Sequence, residues 1–129
     1  MINPQDLPLY YKYTNNPYKP SEAEKDFHDE IVYYAFDADS SGAFFAEAFI
    51  RFNSEIDDDD KKVKIYLFTS LIEALDKTKI PAKKTLLFET LDIVFAQYRN
   101  ALSSVIDFYL SSDILKQNMK NYIKGVIGP

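Results

Sequence analysis

Between about residues 82 and 110, Leu87, Leu91, Val94, Tyr98, Leu102, Val105 and Tyr109 recur at intervals of three and four, opposite a narrow polar stripe of Glu89, Asp92, Arg99, Ser103 and Asp107. Only an α-helix gathers such positions on one side, and a helix this long and this apolar needs other elements packed around it. Pro81 suits the first turn of that helix, where its missing N–H costs nothing. The remaining segments supply the neighbours. Ser21 followed by Glu24 is a capping box, and Phe27, Ile31 and Tyr34 follow it at helical spacing, which predicts a helix from about 21 to 35. After the turn chemistry of Asp37-Ala38-Asp39-Ser40-Ser41-Gly42, the positions Phe44, Phe45, Ala48, Phe49 and Phe52 predict a second helix ending near Asn53. Four aspartates, Asp57 to Asp60, favour the positive end of a third, in which Val63, Leu67, Leu71 and Leu75 repeat every fourth residue. Ser111-Ser112-Asp113 breaks the long helix, and Leu115, Met119, Tyr122 and Val126 mark a last one. Residues 1–20 carry four prolines and four tyrosines, too many breaks for continuous helix and too much apolar area for a free tail. The expected fold is all-α: a helical domain over 21–129 with about five helices in one bundle, helix 82–110 central, and an extended aromatic arm, 1–20, packed on it.

The length of 129 residues suits a single core, and the 47% apolar share excludes disorder for most of the chain. Without cysteine there is no disulfide frame and no thiolate for zinc or nucleophilic attack, which fits the cytoplasm as the expected location. The start Met1-Ile2-Asn3-Pro4-Gln5-Asp6 lacks the features of a signal peptide, and no run of about 18 apolar residues exists to span a bilayer. Charge is unevenly distributed. Residues 1–60 hold 14 acids and 4 bases, whereas residues 61–129 hold 6 acids and 11 bases. An acidic half repels phosphate backbones and anionic lipid and attracts a basic protein, so neither nucleic acid nor membrane is an expected partner. The Asp57–Asp60 run has a second reading, as a solvated helix start neutralised by Lys61, Lys62 and Lys64.

Enzymatic chemistry finds little to work with. The single histidine, His28, has no Gly-x-Ser-x-Gly elbow to serve and reads as a surface or rim residue paired to a helical neighbour. Three glycines leave no phosphate-binding loop, and no cofactor is expected. Asp37-Ala38-Asp39-Ser40-Ser41-Gly42 resembles the opening of an EF-hand loop, with oxygens from Asp37, Asp39 and Ser41 and a turn at Gly42. The position for the bidentate glutamate is Ala48, however, and Glu47 falls one residue early. An Asp/Ser turn between helices is the competing reading.

On the first helix, Glu22, Asp26, Asp29, Glu30, Tyr33 and Asp37 fall on one face at spacings of three and four, opposite Phe27, Ile31 and Tyr34. Repulsion among these carboxylates is relieved if they are solvated or if a basic groove faces them, and Tyr33 would add contact area there. The stretch Asp29-Glu30-Ile31-Val32-Tyr33-Tyr34 resembles the acidic, aliphatic, double-tyrosine patch by which immunity proteins of colicin-type nucleases grip their toxins. The resemblance implies Glu30, Tyr33 and Tyr34 as contact residues and Asp26, Asp37 and Asp39 as surrounding acids. On Tyr34 the two lines of reasoning diverge, since helical spacing turns it to the core and the resemblance turns it to solvent. More broadly, a small, acidic, cysteine-free helical chain is similar to the immunity proteins of bacterial toxin systems, contact-dependent inhibition included. The expected function is thus an inhibitor, not an enzyme, that neutralises a basic protein toxin domain, a nuclease being the expected kind. The alternatives are a helical adaptor whose exposed aromatics dock a partner and a calcium-responsive helix pair.

Overall fold

The computed structural model describes residues 3–127. A 3-10 turn at Pro4–Asp6 leads into six helices: α1 (Tyr10–Tyr13), α2 (Glu22–Phe36), α3 (Gly42–Ser54), α4 (Lys61–Lys77), α5 (Pro81–Ser111) and α6 (Gln117–Ile127). The fold is all-α, and the five longer helices correspond to the five read from the sequence. Their starts follow local chemistry. Oγ of Ser21 accepts from the Glu24 N–H, Oγ of Ser41 from the Ala43 N–H and Oδ1 of Asp60 from the Val63 N–H, while Pro81 occupies the first turn of α5. Each cap satisfies a donor that the first helical turn leaves without an intrahelical partner.

Helix α5, the longest, touches α2, α3, α4 and α6, the central place expected of it, and α4, packed between α5 and α2, is the most deeply buried helix. Every residue from Tyr66 to Asp76 is buried. One side of α4 packs on α5, where Phe68 meets Phe95 edge to face at 5.1 Å and Tyr109 at 6.1 Å; another packs on α2. Helix α5 bends at Tyr98 (φ −123°, ψ 21°), whose hydroxyl donates to Oδ1 of Asn53 on α3 at 2.5 Å. The Lys64 ammonium lies 5.2 Å from the Tyr98 ring centroid.

The N-terminal segment is not simply extended. Its prolines fall at 4, 8, 17 and 20, which leaves Leu9 to Asn16 free to turn, and Tyr10–Tyr13 forms one helical turn closed by Asn15 in the left-handed region (φ 52°). Three buried polar groups hold this segment down. The Glu73 carboxylate on α4 accepts from the backbone N–H of Leu9 (2.5 Å) and Tyr10 (3.0 Å), capping α1 from another helix, and also from the Tyr109 hydroxyl (2.7 Å). His28 donates from Nε2 to the Leu7 carbonyl at 2.6 Å. The Tyr18 hydroxyl donates to the buried Glu24 carboxylate. Around them Tyr11 stacks on Tyr18 at 5.1 Å, and both reach Tyr66, whose hydroxyl burial pushes up to about 12. His28 is therefore buried at the arm–bundle junction and not at the rim as expected, although its Nδ1 does lie 3.7 Å from Asp29.

Candidate partner-binding face

Helix α2 turns Phe27, Ile31 and Ala35 inward, and the 100° step per residue then sends Asp26, Asp29 and Tyr33 outward. Those three are exposed, Tyr33 at 54%, and Glu30 and Asp37 are half-buried beside them. Between α2 and α3 lies a cleft of about 500 Å³ whose floor is Phe27, Ala48 and Phe52 and whose walls carry Asp26, Asp29, Glu30 and, from α3 and the residue that ends it, Arg51 and Glu55. On the other side of Asp29, a hollow of about 370 Å³ opens between Tyr33 and the Pro4 turn. Asp29 lines both, so the expected acidic stripe is a ridge with a depression on either flank.

Among the described residues, the ion pairs are Lys77 with Asp76 and the long His28–Asp29 contact, so no lysine or arginine neutralises Asp26, Glu30 or Asp37. The face holds its negative charge in solvent, where repulsion is screened, and offers that charge to a cationic surface.

Tyr34 is not part of this surface. It is 5% exposed, stacks on Phe45 with centroids 4.9 Å apart, and carries the Lys83 ammonium 4.2 Å from its ring centroid. The spacing with Phe27 and Ile31 decides its direction, and the contact role implied by the resemblance is corrected. Asp39 is exposed, but it sits in the α2–α3 turn, beyond the end of the ridge.

That turn has the chemistry of a helix connection. Oδ1 of Asp37 accepts from the Asp39 N–H at 2.9 Å, Oγ of Ser40 donates to the Asp37 and Tyr34 carbonyls, and Ser41 caps α3. The Lys83 ammonium donates to the Ser40 carbonyl (2.6 Å) and to its Oγ (2.7 Å), placing a fixed cation against the loop. Calcium at millimolar concentration is expected to leave the thermal midpoint unchanged; a rise, which any ligand selective for the native state must produce, would revive the EF-hand reading.

Helix α3 adds two exposed apolar side chains, one of which the sequence pattern had placed in the core. Phe44, read as part of the core stripe, is 72% exposed, and Ile50 is 68% exposed. Neighbouring phenylalanines on one helix point 100° apart, and Phe45, at 1% exposure, is the one that reaches the core. No known protein family, curated protein or solved structure matches the chain. Function must be argued from the face itself.

Proposed function

We propose that this protein is an inhibitor of the immunity type, acting in the cytoplasm, that neutralises a basic protein toxin domain, a nuclease above all, through the acidic aromatic face of α2 and the adjoining α3. The observation that carries the reading is the ridge of Asp26, Asp29 and Glu30, none of which forms an ion pair with a lysine or arginine among the described residues, with exposed Tyr33 beside Asp29 on the flanking hollow. A nuclease must present cations where it holds phosphates, and a carboxylate ridge of fixed geometry competes for those cations. The aromatic ring supplies the desolvated anchor that charge alone does not. The chemistry then belongs to the partner, and the inhibitor acts by occupying its cleft or an adjoining surface. The same carboxylates keep the inhibitor itself off nucleic acid. No helix among the described residues is long and apolar enough to cross a membrane, and no membrane partner is proposed.

A toxin domain encoded beside this chain is expected to form a 1:1 complex with it and to lose its activity there. Its association rate should fall about tenfold or more between 50 and 500 mM salt, as encounter between opposite charges is screened. Stopped-flow mixing at the two salt concentrations measures this. Phe44 and Ile50 favour a second reading, an adaptor that docks an apolar surface. A complex whose association ignores salt would select it and reject the inhibitor.

A further inference from the structure

A groove of about 640 Å³ opens where the N-terminal turn meets the end of α2 and the α4–α5 connection. Its floor is hydrocarbon: Pro4, Leu7, Phe36 and Ile80. Its rim is cationic, with Lys77, Lys79 and Lys116, and among the described residues no acid lines it. The buried Asp76 lies beneath the rim and accepts from the Lys77 ammonium at 2.6 Å and from the Lys116 backbone N–H at 3.0 Å. That single carboxylate offsets one of three ammonium charges. Lys79 and Lys116 are exposed, and although the Lys116 ammonium donates to the Asp76 backbone carbonyl at 3.2 Å, the surplus positive charge stands beside an apolar floor. Helix α5 begins at this edge with no side-chain cap at Ile80, so its dipole reinforces the same sign. The size falls within the range of small-molecule sites, which are mostly apolar with a few placed polar groups.

We propose that this groove binds a monomeric linear carboxylate, its alkyl chain laid along Leu7, Phe36 and Ile80 and its head group held by Lys79 and Lys116. A compact anion such as phosphate would leave the floor wet, and a neutral alkyl chain would supply no counter-charge to Lys79 and Lys116, so both halves of the ligand are required. The groove meets the hollow beside Tyr33 at Pro4 and Phe36, but none of the acids of the ridge lines it.

The test is titration of the isotope-labelled full chain with octanoate, decanoate and dodecanoate, each below its micelle concentration, followed by amide resonances. Saturable shifts are expected at Leu7, Phe36, Lys79, Ile80 and Lys116, with affinity rising about two- to fourfold per added methylene as apolar area is removed from water. Decanol should bind about tenfold more weakly than decanoate, and the Lys79→Gln/Lys116→Gln double variant should lose about tenfold for decanoate. Ile80→Asp, which puts a carboxylate on the floor at a helix N-cap position, should abolish binding with the circular dichroism unchanged. Shifts that do not saturate, affinities indifferent to chain length, or a double variant as tight as the parent would overturn the proposal. So would association with phosphatidylglycerol vesicles in the absence of monomer binding.

Discussion

Replacing Glu73 by alanine is expected to remove about 3–5 kcal/mol of stability, a large share of the ~5–15 kcal/mol that holds a domain of this size together. Glu73 is 0% exposed, and its carboxylate answers three donors at once: the N–H groups of Leu9 and Tyr10 and the Tyr109 hydroxyl. Truncation leaves all three facing a void, each costing roughly 1–3 kcal/mol if water does not enter, and it also uncaps α1. The loss should appear in urea unfolding as a lower midpoint, and the amides of residues 9–14 should exchange faster than those of the bundle. A change below about 1 kcal/mol would mean that water replaces the carboxylate and that the arm is held mainly by its tyrosines.

The same residue links stability to pH. Burial pushes the Glu73 carboxyl upward, while the Tyr109 hydroxyl, the two backbone N–H groups and Lys77 pull it back without cancelling that rise. An acid that titrates higher in the native chain than in the unfolded one binds its proton more tightly when folded. Its contribution is full below the ordinary value of 4.5 and is lost as pH rises through the native value. Glu73→Gln keeps the volume and one acceptor but turns an amide donor towards an N–H, so it should cost about half as much as alanine. It should also remove that part of the pH slope above 4.5, which unfolding at several pH values would reveal.

Much of the fold was legible because its causes are local. The period of Leu87 to Tyr109, the cap at Ser21, the aspartates before α4 and Pro81 each act within a few residues, and α2 to α6 begin and end close to where those signals lie. The burial of Glu73 has no local cause. Its place on α4 is indistinguishable from that of a solvated glutamate until residues 7–13 fold over it, and their docking in turn depends on the carboxylate. His28 was misread for the same reason, since its partner Leu7 lies 21 residues away. On α2 the periodicity placed Asp26, Asp29 and Tyr33 on the exposed side with Glu30 half-buried beside them, and it also placed Tyr34 inside against the implication of the resemblance. Phe44 was read as core because an apolar residue beside a core stripe fits the same pattern, and its exposure depends on which neighbours α3 meets, as does that of Ile50, to which the pattern assigned no place.

If the proposed toxin complex forms through α2, alanine at Asp26, Glu30 and Tyr33 together is expected to weaken it by about a hundred- to a thousandfold, because it removes two carboxylates and the aromatic anchor from one patch. The effect on folding should stay within ~1 kcal/mol: Asp26 and Tyr33 are exposed, Glu30 is half-buried, and none of the three forms an ion pair among the described residues. Charge and contact can be separated by the kinetics. Loss of the two acids should fall mainly on association and flatten its salt dependence, whereas Tyr33→Ala alone should mainly speed dissociation. Asp107→Ala, an exposed acid on α5, controls for net charge and should change affinity less than twofold. A triple variant that binds like the parent would move the interface off α2, and a triple variant that unfolds would show that these side chains support the bundle. Retained folding with lost binding is the outcome that follows from a ridge on which Asp26 and Glu30 form no ion pair among the described residues.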